Sequence, residues 1–382
     1  MERPAVRGRR RASTPRLRIF ARVVFGALVV VSLVGGVTGG LWRLGVAVPD
    51  PLSFPWTGQV LLVHAALMIC GFLGTVIGLE RAVAVKHRAA FLAPLASGFG
   101  ALCLILGRQA AGAWLGVAAA VSFLAVNAVV VRRQHAAHTL LLLVGAAAWV
   151  VGNLLFALGR DGNAVIPWWF AFLVLTIAAE RLEMTRLMRR RPAASVALHA
   201  VLSLLLVGAA CSGVAPRIGG LVYGTALVLL AAWLVGFDVA RRTAFAHGIS
   251  RYMAICLLGG YAWLGVAGVA WATTALGWPT RDAALHALGL GFVLSMMMGH
   301  APVVLPAIAR VKLQFGAFFY LPLAALHLSL LTRLVMGTFS EPLRAAGASC
   351  NAATIGFFAA TMAGAAVAWR VQHGAVDARK TR

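Results

Sequence analysis

Four histidines of the sequence lie within long apolar stretches: His64, His286, His300 and His327. A polar side chain in such a stretch has to be explained, either by a hydrogen bond to a neighbouring carbonyl or by a function. Neutral imidazole is a common ligand of iron and copper, and haem takes its axial ligands from facing helices. These histidines are therefore the first candidates for binding a metal or a haem.

The amino-acid composition of the chain is that of a membrane protein. Its 382 residues are 61% hydrophobic and 12% charged, with a mean hydropathy of +0.89, whereas soluble domains are about 45–50% apolar and about 25% charged. This composition excludes a soluble enzyme, a secreted disulfide-rich scaffold and a disordered chain. A helix needs about 20 apolar residues to cross a bilayer. Cutting the sequence at its charged residues predicts twelve such helices, at 21–48, 57–80, 89–107, 110–131, 138–159, 164–182, 193–213, 217–240, 253–277, 282–306, 314–336 and 345–370.

The predicted fold class is therefore an all-α, polytopic membrane protein with about twelve transmembrane helices. We expect a basic N-terminal tail at residues 1–20, one membrane domain at 21–370 and a C-terminal tail at 371–382. The partner of most of this surface is the lipid bilayer.

The basic residues predict the orientation of the helices. Of 34 Lys and Arg residues, all but seven fall on the side of the two termini. The seven on the other side are Arg43, Arg108, Arg160, Arg217, Arg281, Arg333 and Arg344. Cytoplasmic loops carry an excess of Lys and Arg, so both termini are predicted to be cytoplasmic and the protein to lie in the plasma membrane, the inner membrane of a cell that has two. The net charge of +24 is then a sign of topology, and nucleic-acid binding is not expected.

Three of the four histidines are predicted to share one depth in the membrane. His64 lies near the outer end of the second helix, His286 near that of the tenth and His327 near that of the eleventh. At about 1.5 Å per residue, their depths agree within roughly 8 Å, and His300 is about 21 Å deeper than His286. Two histidines at one depth fit the axial ligands of a haem.

The groups around that depth suggest how such a haem would be held. His64 and His286 are the predicted axial ligands, and His327 is an accessory ligand or a ligand of a second metal such as copper. Arg43 and Arg333 lie near the outer ends of their helices, where their charges suit the propionates of a haem.

A weak repeat relates three of the predicted helices. Phe72-Leu73 and Glu80-Arg81 of the second helix recur one hundred residues later as Phe172-Leu173 and Glu180-Arg181 of the sixth. The tenth helix has Gly291-Phe292, followed by His300 at the position that Glu80 has after Phe72. Because these helices are four apart, the pattern predicts three units of four helices. The Glu-Arg pairs are interpreted as anchors at helix ends.

An alternative interpretation is a small-solute transporter without a cofactor. Pro302 and Pro306 follow His300 within the tenth helix. Two prolines one turn apart are expected to break the helix and to free backbone carbonyls that line a substrate cavity around His300. All ten acidic residues fall at helix ends or in loops, which argues against a transporter driven by protons or sodium. A structural subunit that needs a partner is a third interpretation.

The second helix, with His64-Ala-Ala-Leu-Met68 before Gly71-Phe-Leu-Gly74, resembles the second helix of haem-copper oxidase subunit I. In that family a histidine in this context binds the low-spin haem. The whole chain, with His286-Ala-Leu-Gly-Leu-Gly before a further histidine, is more similar still to the NnrS family. Those polytopic proteins are described as binding haem and copper and are linked to nitric-oxide metabolism.

The resemblance implies haem b, copper as a second metal, and nitric oxide or a redox partner as the interacting species. It also implies a limit. The oxidase copper site needs a histidine in the sixth helix and a His-His pair in the seventh, where this chain has Trp168-Trp169 and only His199. We therefore expect a haem protein without the usual dinuclear reductase centre, and whether it is an enzyme stays open.

Overall fold

The computed structural model describes residues 15–48, 57–184 and 192–380, and it confirms the predicted all-α, polytopic architecture. The described residues contain twelve helices long and apolar enough to span a membrane. We number them α1 Arg22–Arg43, α2 Gly58–Val85, α3 Arg88–Ile105, α4 Gln109–Arg133, α5 Ala137–Ala157, α6 Gly162–Met184, α7 Pro192–Ser212, α8 Pro216–Phe237, α9 Gly248–Ala275, α10 Arg281–Ala309, α11 Ala317–Thr338 and α12 Glu341–His373.

The helices at the two ends of the chain extend beyond the predicted membrane domain. The first begins at Pro15, within the predicted tail at 1–20, and the last continues to Lys380, beyond the boundary predicted at residue 370. Polar residues extend both helices, so hydropathy alone ends them too early. The rest of the N-terminal tail, residues 381–382 and the Arg-rich loop at 186–191 lie outside the described residues.

Consecutive helices are neighbours and are joined by short segments, so the bundle has two ends. We call the end at which the odd-numbered helices begin the terminal face, and the opposite end the distal face. The predicted outer ends of the helices are at the distal face. His64 of α2 and His286 of α10 therefore lie near the distal face, and His300 lies near the terminal face.

Three helices form the centre of the bundle. α2, α6 and α10 contact one another, while α12 returns to contact α1. α6 is the most buried, with 78% of its apolar window inside the protein. These are the three helices that share the sequence repeat, and their central position accords with three units of four helices.

α2 and α10 share two irregularities. Each contains a π-helical segment of eight residues, Leu67–Gly74 in α2 and Ala287–Leu294 in α10, which begin 220 residues apart. Each helix also ends on a basic residue in the left-handed conformation, Lys86 after α2 and Arg310 after α10. π-Helical segments occur frequently at functional sites, and both of these segments follow closely after a candidate histidine.

The two prolines of α10 do not interrupt the helix. It continues as an α-helix from Ser295 to Ala309 through Pro302 and Pro306. The irregular part of α10 is instead the π-helical segment on the distal side of His300. The break predicted at the prolines is therefore absent from this helix.

Glycines of α1 bring it into close contact with α2. A Cβ atom built on Gly39 would overlap the backbone carbonyl of Val60, and one on Gly36 would lie 2.6 Å from the sulfur of Met68. Small residues at helix contacts let backbones approach closely, which is a main source of packing energy in membranes. This contact determines where the backbone of α1 meets His64.

Replacing Gly39 with alanine should therefore destabilise the protein. The added methyl group forces α1 away from α2, and overpacking of this kind costs about 1–3 kcal/mol. Gly26, on the same helix, has open space around its Cβ position, so Gly26→Ala should leave the thermal unfolding midpoint of the detergent-solubilised protein unchanged or raise it slightly. Equal midpoints for the two variants would contradict this account of the α1–α2 contact.

Candidate functional site

His64 lies against α1, where Gly36 accepts a hydrogen bond from its ring and Gly40 leaves room for that ring. Its Nδ1 lies 2.6 Å from the carbonyl oxygen of Gly36. A Cβ atom on Gly40 would lie 2.7 Å from the Cε1 of His64, so glycine is needed there to leave room for the ring. A carbonyl only accepts hydrogen bonds, so Nδ1 of His64 carries the proton and donates it. The lone pair of His64 is then on Nε2.

His286 is held by the first turn of its own helix and by α11. Its Nδ1 lies 3.0 Å from both the backbone oxygen and the Oδ1 of Asp282. Its Nε2 lies 3.1 Å from the guanidinium Nη2 of Arg333. Because arginine only donates, Nε2 of His286 is the acceptor and Nδ1 donates to Asp282. This is the same tautomer as that of His64.

The polar side chains around His64 and His286 near the distal face form what we call the distal layer, and they include an ion pair between Arg333 and Asp282. The Nε and Nη2 atoms of Arg333 donate to the two carboxylate oxygens of Asp282 at 3.0 and 2.8 Å. The side chain of Arg333 is 8% exposed and that of Asp282 is 30% exposed. A paired fork of this kind fixes both groups in position as well as in charge, and through Asp282 it fixes the ring of His286.

The structure brings the two candidate ligands together. The ring centroids of His64 and His286 are 6.2 Å apart, and the ring planes differ by 26°. The shared depth predicted from the sequence thus corresponds to a direct juxtaposition of α2 and α10. Arg43, at the distal end of α1, and Arg333 both act electrostatically on His64. Of these two arginines Arg333 is paired with Asp282, so Arg43 is the positive charge near the two rings that could attract an anionic group.

His327 has a different environment. The indole nitrogen of Trp263 in α9 donates to its Nδ1 at 2.9 Å, and its Nε2 lies against Gly259, where a Cβ atom would be only 2.8 Å away. Because Trp263 only donates, the lone pair of His327 is on Nδ1 and is already engaged. The role of His327 as an accessory or second-metal ligand stays a prediction, and the observed hydrogen bond opposes it.

A second polar layer lies near the terminal face and includes His300. Its Nε2 lies 2.8 Å from the guanidinium of Arg181, and its Nδ1 lies 2.6 Å from the carbonyl oxygen of Met296. Arg181 is only 3% exposed, and Glu80 acts electrostatically on His300. His300 therefore lies in the layer predicted for it, although Arg181 is a buried partner of that histidine and not only an anchor at a helix end.

Several functional neighbours were not recognised in the sequence. Gly36, Gly40 and Trp263 carry no signal of their own, because glycines and tryptophans are common in membrane helices. Asp282 could have been recognised as a partner of His286, since it precedes that histidine by four residues and so lies on the same helix face. Among the described residues no group of three or more His, Cys, Asp or Glu side chains could hold a metal ion, so a metal at the distal layer would have two histidine ligands from the protein.

One known family matches nearly the whole membrane domain of this chain. A family model described as "Domain of unknown function (DUF8744)" matches residues 22–367. The chain belongs to this family. The match begins at the start of α1 and ends within α12, so membership applies to the twelve-helix bundle as a unit. No curated protein matches the chain, and no solved structure matches it.

The distal ion pair should behave as a coupled unit. We expect Arg333→Gln and Asp282→Asn each to lower the free energy of unfolding, because each leaves a charged partner in a partly buried site. The double variant should lose less than the sum of the two, with a coupling energy of about 0.5–3 kcal/mol. Thermal or denaturant unfolding in detergent gives the three values.

The matched control for that cycle is Arg344 with Glu341, an ion pair at the same face whose side chains are 37% and 87% exposed. Exposed pairs contribute little, so the same cycle at Arg344 and Glu341 should give no measurable coupling. Additive effects at Arg333 and Asp282 would show that their hydrogen bonds do not hold the distal layer together.

Proposed function

We propose that this protein is an integral membrane haem protein that holds a haem b between His64 and His286. The observation that carries the proposal is the pair itself: two histidines from different central helices, 222 residues apart in sequence, with their rings 6.2 Å apart. An imidazole in an apolar bundle costs free energy unless it is paired, and here two of them lie side by side.

The separation and the tautomers of the two histidines support binding of one metal by both. Metal–nitrogen bonds to histidine are about 2.0 Å long, and ring centroids 6.2 Å apart are close enough for both imidazoles to reach one metal. Both rings also keep their lone pair on Nε2, because Gly36 and Asp282 accept hydrogen bonds from the two Nδ1 groups. Histidines that bind metals almost always donate their other ring nitrogen to a carbonyl or a carboxylate in this way.

Arg43 and Arg333 are suited to bind the propionate groups of a haem. Arg43 and Arg333 supply positive charge near His64, and carboxylates such as propionates form charge-assisted hydrogen bonds with arginine. Arg333 also donates to Nε2 of His286, so ligation through that nitrogen requires Arg333 to move away from it. A propionate would offer Arg333 a replacement acceptor.

When bound, a haem supplies an iron that changes between ferrous and ferric states and that binds gases such as nitric oxide. His64 and His286 would hold the haem, and Gly36 and Asp282 fix the orientation of their rings. The bound iron would supply electron transfer with a redox partner or a response to nitric oxide. Together with the resemblance to the NnrS family, this supports a role in nitric-oxide response or electron transfer, without the dinuclear centre of the oxidases.

The orientation belongs to the same proposal. The excess of basic residues on the side of the termini supports a cytoplasmic terminal face. The His64–His286 pair would then lie in the outer half of the plasma membrane, and a redox partner would approach from outside the cytoplasm.

The test is the optical spectrum of protein purified after expression with ample haem. We expect a Soret band and, after reduction with dithionite, the sharp α and β bands of a six-coordinate haem. His64→Ala and His286→Ala should each remove those bands or convert them to a five-coordinate spectrum. His199→Ala, which changes an exposed histidine of α7 that bonds to Ser195, is the matched control and should keep the wild-type spectrum.

His327→Ala tests whether His327 contributes to the haem site as an accessory or second-metal ligand. If His327 only packs against Trp263, the haem spectrum of this variant should be unchanged. A wild-type protein that folds but shows no haem would refute the proposal and favour the cofactor-free transporter. A haem spectrum that survives both His64→Ala and His286→Ala would refute the ligand assignment.

A further inference from the structure

A cavity of about 370 Å³ opens at the distal face, and its lining residues belong to α6, α7, α8, α9 and α10. It lies between the ends of five helices: α6, α8 and α10 begin around it, and α7 and α9 end there. Ligand sites in proteins usually occupy about 300–1,000 Å³, so the cavity is large enough for a small organic molecule or for part of a lipid.

Two arginines give the cavity its charge. Arg217, at the start of α8, and Arg281, at the start of α10, both line it. Nη1 of Arg281 donates to the side-chain oxygen of Asn163 at 2.7 Å, which holds the guanidinium beside the first turn of α6. Arg217 forms no salt bridge with a described residue.

The acidic groups nearby do not neutralise both arginines. Asp161 acts electrostatically on Arg281, but its Oδ1 also accepts a hydrogen bond from the backbone nitrogen of Ala164 at 2.9 Å. Asp282 is bound by Arg333. Arg43 adds a further positive charge that acts on Arg281. Long helices also begin here, with α6 at Gly162 and α8 at Pro216, and helix N-termini carry partial positive charge.

The deeper wall of the cavity is apolar. Ile166 and Pro167 of α6, Trp271 of α9 and Leu285 of α10 line it. Trp271 is held in position by Tyr223, whose ring centroid is 4.7 Å away and whose hydroxyl donates to the carbonyl of Pro167 at 3.0 Å. A ligand that fits this wall presents an apolar body behind its charged group.

From these features we infer that the cavity between Arg217, Arg281 and Trp271 binds an amphiphilic anion. The carboxylate or phosphate of the ligand contacts the two guanidinium groups, and its hydrocarbon or aromatic part lies against Trp271 and Leu285. The same chemistry is found in the headgroup of an anionic lipid and in a free organic anion. The inference is independent of the proposed haem, because it uses neither His64 nor His286.

Native mass spectrometry of the detergent-purified protein tests this site with defined probes. We expect one molecule of dioleoylphosphatidylglycerol to bind in preference to dioleoylphosphatidylcholine. The double variant Arg217→Gln with Arg281→Gln should bind the anionic lipid at least ten-fold more weakly. Arg108→Gln is the matched control, since it removes an exposed arginine from the same face, outside the cavity lining, and it should bind as the wild type does.

A second variant separates the cavity from surface charge. Ile166→Trp fills the cavity and keeps both arginines, so it should also abolish binding. This variant decides the question if the double arginine variant does not fold. Loss of binding only with the arginines, or equal loss in Arg108→Gln, would mean that lipid headgroups associate with the charged surface and that the cavity is not a site.

Decanoate distinguishes the two sources of the ligand. Phosphatidylglycerol that resists displacement by decanoate identifies a lipid site, whereas decanoate that binds more tightly and displaces the lipid identifies a site for free organic anions. Either result supports the inference, provided that Ile166→Trp abolishes binding of the same probe. Failure of both probes to bind the wild-type protein overturns it.

Discussion

The structure depends on one constraint, which is that every polar group inside the bundle must find a partner there. Hydrocarbon offers no hydrogen bonds, so an unpaired imidazole or guanidinium is costly. The chain satisfies the histidines and arginines of its two polar layers with contacts between distant segments. Gly36 accepts from His64 across 28 residues, Arg333 bonds Asp282 across 51, and Arg181 bonds His300 across 119. Each contact satisfies a polar group and fixes two helices relative to each other.

These contacts form two layers with different chemistry. The distal layer combines two imidazoles with arginines and one bound carboxylate. The terminal layer combines His300 with Arg181 and carboxylates. There the guanidinium of Arg181 donates to Nε2 of His300, as that of Arg333 donates to Nε2 of His286 in the distal layer. The two layers differ in that only the distal layer brings two imidazole rings together. A histidine whose Nδ1 donates to a carbonyl or carboxylate keeps Nε2 as an acceptor, whereas His327 has its lone pair engaged by Trp263.

The positions of the distal histidines follow from backbone features nearby. Glycines of α1 let the carbonyl of Gly36 reach the ring of His64, and π-helical segments follow both His64 and His286. A π-helical turn changes the direction of the side chains that come after it. In α2 and α10, side chains on the distal side of the π-helical segment therefore point in other directions around the helix axis than a regular α-helix would give them. One helix can in this way contribute side chains to both layers.

Much of this architecture was determined by the sequence alone. Apolar segments of about 20 residues define twelve spans because a bilayer has one thickness, and their regular rise placed His64 and His286 at one depth. The sequence also indicated that α2, α6 and α10 are related. Depth follows from local helix geometry, and for that reason it could be read without any knowledge of packing.

Only the tertiary structure decided which groups at one depth meet. His327 was predicted to lie at the depth of the other two histidines, but it contacts Trp263 of α9 and not the other two rings. The direction of a side chain depends on the rotation of its helix within the bundle. The role of Gly40 depends on the close approach of α1, and the role of Arg181 depends on the contact between α6 and α10. The cavity between Arg217 and Arg281 arises where five helix ends meet. Such features involve residues far apart in the chain, and one sequence encodes them only through the packing of all twelve helices.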